Sequence, residues 1–204
     1  MTDLERALRD SAPPTDAVAA AAAARRLATR AGDDGLADVT YAVIASPLGE
    51  LAGVCSRRGL LCLSYRVERL DELMDTLARS VSPRILESPQ RLEAVSRQLD
   101  EYFAGRRRRF ELPIDWSLAR GFGRRVLQAT ARVPYGRATT YREVAEEAGS
   151  PLAVRAAGNA LAANPVPIVV PCHRVLRTSG GLGGYAGGVE RKRFLLELEG
   201  AFEG

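Results

Sequence analysis

Residues 139–165 read TTYREVAEEAGSPLAVRAAGNALAANP, and the starts of two helices can be marked in them. Thr140 is followed three places later by Glu143, a capping box that satisfies two backbone N–H groups at the head of a first helix. Gly149 supplies the left-handed residue on which that helix can stop. Ser150 then offers an N-cap for a second helix, with Pro151 at its first position, where a missing N–H costs nothing. Two helices joined by so short a turn make a helix-turn-helix. The second carries Ala153, Ala156, Ala157, Gly158 and Ala160 around one cation, Arg155. Small side chains let a helix backbone come close to a nucleic-acid groove or to another helix, and the pattern alone leaves both open.

The next stretch, NPVPIVVPCHRV over residues 164–175, places the only histidine of the 204-residue chain directly after one of its three cysteines. Packing, a metal site and nucleophilic chemistry are the candidate reasons. A zinc site needs about four nitrogen or sulfur ligands, and Cys55 and Cys62 lie far away in the sequence. A buried structural thiol is the ordinary fate of a cysteine. An adjacent imidazole argues otherwise, since it can take the thiol proton, directly or through water, to give the nucleophilic thiolate. A helix starting just after Pro171 is expected to lower the thiol pKa by its dipole.

Upstream, VTYAVIASPLGELAGVCSRRGLLCLSY from Val39 is rich in β-branched and small apolar residues, with turn signals at Pro47–Gly49 and Arg58–Gly59. It reads as three antiparallel strands, with Cys55 opposite Cys62 across the second turn. RLDELMDTLARSV and SPQRLEAVSRQLDEYFAG read as amphipathic helices, the second buried through Leu92, Val95, Leu99 and Phe103. The run Arg106–Arg109 reads as a solvated loop, and ELPIDW as a linker between two lobes. Helices are expected at 121–132, 140–148, 151–162 and 189–199. Before all this, Thr2 and Glu5 open a short helix, and TDAVAAAAAARRLATRAG reads as a second, loosely docked one.

Hydrophobic residues at 46% and charged ones at 26% describe an ordinary globular chain and exclude wholesale disorder. The alanine tract at 17–24 is too short and weakly apolar to span a bilayer, and its flanking charges run opposite to a secretory signal's. An odd cysteine count without framework spacing fits reduced thiols in a cytoplasmic protein. Net charge is +4, but residues 1–115 hold 17 basic and 18 acidic side chains, and residues 116–204 hold 12 and 7. The basic surplus lies in the half with the helix-turn-helix, as a phosphate-binding face requires.

PCHRV preceded by NPVPIVV and followed by GGYAGGVERKRFLLELEG resembles the active-site region of the O6-alkylguanine-DNA alkyltransferases. The resemblance runs without a gap from about Val133 to Gly200 and more loosely back to Tyr41. It implies an α/β fold of two lobes: an N-terminal lobe at 39–115 with a small antiparallel sheet plus helices, and a helical C-terminal lobe at 116–204 with the helix-turn-helix and the active-site cysteine. Residues 1–38 are left as an N-terminal helical extension.

The resemblance also implies direct-reversal repair of double-stranded DNA containing O6-alkylguanine, with O4-alkylthymine as a second candidate lesion. Cys172 resembles the alkyl acceptor, used once, with His173 as base through water and Glu199 orienting the imidazole. Tyr141 resembles the residue that turns the nucleotide at its phosphate and protonates guanine N3. Arg155 resembles the finger that fills the gap left by the flipped base, with Ala156 and Gly158 beside it on the DNA face. Asn164 resembles a hinge bracing the turn. Pro167, Val175, Gly183, Tyr185, Ala186 and Gly187 resemble the substrate pocket, whose glycines can approach a flat base. No cofactor and no metal are implied; the partner is DNA and not a membrane, and the protein is expected to act as a monomer, with several copies able to share a duplex. A non-catalytic lesion-binding protein and a cysteine hydrolase are the alternatives, set back by the presence of Cys172 and by the lack of a protease signature.

Overall fold

The computed structural model describes residues 37–201, so the two helices expected within residues 2–32 lie outside the described residues. Three antiparallel strands open the fold: β1 (Val39–Ile44), β2 (Leu51–Ser56) and β3 (Gly59–Ser64). The register of the second hairpin differs from expectation. Ser56 pairs with Gly59, but Val54 faces Cys62 and Cys55 faces Leu60. The turn is centred on Arg57-Arg58, one residue earlier than expected, and this sets Cys55 against Leu60 instead of Cys62. Leu61 is then an extra residue on β3, a β-bulge that brings Cys62 opposite Val54.

The sheet is also not purely antiparallel. The helix α1 (Leu70–Ser80) carries the chain back across it, and β4 (Ile85–Glu87) then pairs parallel to β1, giving the order β3-β2-β1-β4. A parallel neighbour needs such a crossover. Three residues of β4 are too few to show a strand period in the sequence.

Alternation along the strands divides the packing. Val39, Val54, Leu61 and Cys62 meet Leu77 of α1 on one face. Ala42, Ile44, Leu51, Leu60 and Leu63 face the other way, toward α2 (Glu93–Phe103), entered through a 3-10 turn at Pro89–Leu92. The buried stripe of α2 is Leu92, Val95, Leu99 and the wholly buried Tyr102, while Phe103 is only partly covered. This second cluster continues without a break into the C-terminal half through Val126, Leu127, Ala145, Leu161, Ile168 and Leu195.

The segment expected as a linker is bound along the edge of β3. Leu60 donates to Pro113 O at 2.8 Å and accepts from Asp115 N at 2.9 Å. Asp115 also accepts from Ser56 Oγ and Arg58 Nε. Gly59 lies at φ +130°, and a Cβ there would stand 2.1 Å from Pro113 O, so only glycine allows this approach. Of the four arginines before it, Arg107 is ion-paired to Glu101 at 2.7 Å and Arg108 stacks on Tyr135, so half of the run is structural.

The C-terminal half packs α3 (Gly121–Thr130) against α4 (Tyr141–Glu147) and α5 (Val154–Ala162). The capping box forms, with Glu143 N donating to Thr140 Oγ1 and Thr140 N to Glu143 Oε2. The second helix starts later than the sequence suggests. Residues 150–153 make a turn closed by Ala153 N to Ser150 O, so Ser150 does not cap α5 and Pro151 is not its first residue. A two-residue parallel pair, β5 (Thr139–Thr140) with β6 (Val175–Leu176), fastens the cysteine segment to the head of α4. The last helix is α6 (Val189–Leu198). Among the described residues no helix is long and apolar enough to cross a membrane.

Candidate active site

Pro171 ends the stiff segment and a single 3-10 turn, Cys172–Arg174, follows it. One turn is too short to develop a helix dipole of consequence. The thiol is therefore not lowered as expected. Burial pushes Cys172 up to about 11, and the opposing influences are a hydrogen bond from Asn164 and the charge of Lys192. Asn164 Nδ2 lies 3.1 Å from Cys172 Sγ and 2.9 Å from Val170 O, while its Oδ1 accepts from Val166 N at 3.0 Å. One buried amide thus holds both ends of the turn and the sulfur. Within that turn Ile168 sits at φ +72°, costly backbone for a β-branched residue, and is buried completely.

His173 is fully buried, and its Nε2 lies 2.9 Å from Glu199 Oε1. Burial lowers the imidazole pKa against the pull of Glu199, so the ring is neutral. Burial alone would raise Glu199, but hydrogen bonds from His173 and Arg174, together with their charges, outweigh it and hold the carboxyl at about 2. An ionised carboxylate only accepts, which assigns the proton to Nε2 and leaves the Nδ1 lone pair available. Nδ1 is buried and has no hydrogen-bond partner among the described residues.

Glu199 also accepts from Arg174 Nε and Nη2, each at 2.8 Å, and from Tyr102 Oη at 2.6 Å. With a longer bond from Gly136 N at 3.4 Å, five donated bonds fix one carboxylate behind one imidazole. Arg174 and Tyr102 did not stand out in the sequence. Arg174 follows the histidine and could pass for surface charge, and Tyr102 belongs to the other lobe, where its place one turn beyond Leu99 was the only sign. Lys192 was missed as well. It reads as one charge in the run ERKR, yet it is buried, and Nζ donates to the carbonyls of Val175 (2.6 Å), Leu182 and Gly184. Burial lowers it to about 8.

A cavity of about 830 Å³ opens onto this group, and its wall includes Tyr141, Arg155, Gly158, Cys172, Tyr185 and Ala186. Arg155 and Ala156 are exposed on α5. Ala157 is buried in the core, and Gly158 lies against the Tyr141 ring at 3.8 Å from where a Cβ would be. The small residues of α5 therefore serve an inner face by close packing and leave an outer face bare. Pro167 and Val175 are buried behind the wall rather than in it. Gly183 and Gly187 do not line the cavity either, but both permit close approach. A Cβ on Gly183 would meet Tyr141 Oη at 2.9 Å, and one on Gly187 would meet the Tyr65 and Tyr185 rings below 3 Å. Among the described residues no group of three or more His, Cys, Asp or Glu is placed to hold a metal.

Two family models match the chain: "6-O-methylguanine DNA methyltransferase, DNA binding domain" over residues 121–201, and "6-O-methylguanine DNA methyltransferase, ribonuclease-like domain" over residues 39–116. A methylated-DNA–protein-cysteine methyltransferase of Mycolicibacterium paratuberculosis is 47% identical over 165 residues, covering 79% of this chain and 92% of that protein. The inducible protein of that name from Bacillus subtilis is 36% identical, covering 70% and 79%. The crystal structure of Mycobacterium tuberculosis OGT in complex with DNA superposes with a TM-score of 0.66 at 37% identity, covering 79% and 93%.

Proposed function

The chain belongs to the 6-O-methylguanine DNA methyltransferase family and repairs O6-alkylguanine in DNA by moving the alkyl group to a cysteine; we propose that Cys172 is that acceptor and that His173 and Glu199 make it one. The observation that carries this is the neutral, buried imidazole of the residue next to Cys172, its Nε2–H given to Glu199 and its Nδ1 lone pair free. A resting thiol near 11 is a poor nucleophile until a base acts on it.

The steps balance without a cofactor. Nδ1 of His173 takes the thiol proton through a water, and the imidazolium is stabilised by Glu199. The sulfur attacks the alkyl carbon in line with O6, so that an S–C bond forms as the C–O6 bond breaks. The electron pair left on the purine is met by a proton from Tyr141 at N3. Proton return from the imidazolium then restores Tyr141 and neutral guanine. The thioether has no group beside it suited to cleave it, so each chain acts once. Asn164 stabilises the negative charge of the attacking thiolate through its Nδ2–H.

The lesion reaches the cavity by flipping out of a duplex, which costs a few kcal/mol, and Arg155 offsets part of this from the exposed side of α5. Residues 116–204 do the chemistry, with residues 39–115 as their support. The protein acts as a monomer, with several copies able to share one duplex, and the three free thiols suit the reducing cytoplasm.

The test is transfer of labelled alkyl from a duplex carrying O6-methylguanine. One label per polypeptide on the Cys172 peptide is expected. Label left on DNA, or a Cys172→Ser chain that still accepts it, refutes the assignment.

A further inference from the structure

Tyr185, which walls the cavity beside Cys172, is not held by its own lobe alone. Its hydroxyl shares a 2.7 Å hydrogen bond with that of Tyr65, just past the end of β3 in the N-terminal lobe. The two rings meet at an angle of 65° with centroids 6.0 Å apart. Arg191 of α6 covers the other contact surface of Tyr65, its guanidinium 4.9 Å from the ring centroid. The same guanidinium donates to Gly187 O at 3.0 Å and to Leu48 O, in the β1–β2 turn, at 3.2 Å. Gly187 is the close-fitting piece between them: any Cβ there would strike Tyr65 at 2.7 Å and Tyr185 at 2.8 Å.

Six of the nine residues at 180–188 are glycine, so the loop has little stiffness of its own. On its inner side the Tyr185 ring stands edge-on to His173, 6.4 Å away. A lobe that contributes no reacting atom therefore supplies the fixed point against which the aromatic wall is set.

We infer that Tyr65 is a positioning residue that sets the width of the cavity beside the acceptor sulfur, and so the size of alkyl group the protein accepts. The inference rests on the alkyl-transfer reading. A methyl group fills little of the cavity, and its transfer depends on the base being held in line with Sγ. A bulky alkyl group needs room in the wall more than it needs the wall's exact setting. Freeing Tyr185 should then penalise methyl and spare or favour benzyl.

Tyr65→Phe removes the shared hydrogen bond while keeping the ring, and Arg191→Met removes the guanidinium while keeping its stem. Single-turnover rates are measured on two duplexes identical except for O6-methylguanine or O6-benzylguanine, with active chains counted by label uptake. The benzyl-to-methyl rate ratio is expected to rise about threefold or more in each variant, a modest share of what a misplaced wall can cost. Partial unfolding lowers both rates together and leaves the ratio alone, so it cannot imitate the effect. A ratio that rises less than threefold in both variants, or falls, overturns the inference. Failure of the alkyl-transfer reading would show separately, as no uptake from either duplex by the unmodified chain.

Discussion

Cys172 and the two cysteines of the N-terminal hairpin are all free thiols in protected places, and burial raises all three. Cys62 is pushed up to about 12, Cys55 to about 11 with Arg91 opposing, and Cys172 to about 11. Acidity at rest therefore does not single out Cys172, the proposed acceptor. Surroundings do. Cys62 packs among Val39, Val54, Leu61 and Leu77, apolar side chains that cannot take its proton. Cys172 lines a cavity, receives an N–H from Asn164, and is followed by an imidazole with one nitrogen committed and the other open. A protected thiol coupled to a base stays quiet toward stray electrophiles and becomes a nucleophile only when a substrate occupies the space beside it.

The largest effect that could break this contrast is all-or-none. Cys172→Ser should abolish label uptake, and the double variant Cys55→Ser with Cys62→Ser should keep one alkyl group per chain. Uptake by the hairpin thiols, read by peptide mass, would erase the distinction. Next, His173→Gln should slow transfer by about 10²–10⁴-fold, the usual range for a lost general base. Its end point should remain one alkyl group, because the acceptor is still present.

Arg155→Ala probes the way into the cavity rather than the sulfur. Transfer from a lesion duplex is expected to slow about tenfold, a little over 1 kcal/mol of barrier, while transfer from free O6-benzylguanine is unchanged. Equal loss on both substrates would mean the cavity itself had been damaged.

The smallest effects concern stability against pH, and linkage sets their sign. A thiol raised from 9.0 to about 11 or 12 stabilises the folded chain fully below 9.0, a contribution that falls away as pH climbs through the folded value. Glu199, held at about 2 against an ordinary 4.5, stabilises fully above 4.5 and loses that contribution as pH falls toward 2. Urea midpoints should accordingly decline above pH 9 and below pH 4.5. Cys62→Ala should flatten the alkaline decline and Glu199→Gln the acid one, and an unchanged slope in either variant would remove that group from the account.

Much of the site was legible because it lies in short, stiff pieces of chain. The Thr140–Glu143 box, the Asn164 turn and the Cys172–His173 step are set by neighbours within a few residues. The strands β1 to β3 were legible from their β-branched and small apolar residues and their turn signals. The turn falls on Arg57-Arg58 and not on Arg58-Gly59, however, which decides that Cys55 faces Leu60, and the bulge at Leu61 carries no local signal. The start of α5 was misplaced because Ser150-Pro151 suits a tight turn as well as a helix head.

By itself the sequence determined the two-helix unit, the hairpin strands and the placing of one thiol next to one imidazole, since capping, strand-forming composition between turn signals, and adjacency act over a few residues. Only the tertiary structure decided that Tyr102, Arg174 and His173 converge on Glu199, that Lys192 is buried under the glycine loop, and that Tyr65 reaches Tyr185 from the other lobe. These contacts join residues up to 120 positions apart. The same burial that brings them together excludes water and moves the pKa values on which the chemistry depends, and neither can be read from a segment before the rest of the chain covers it.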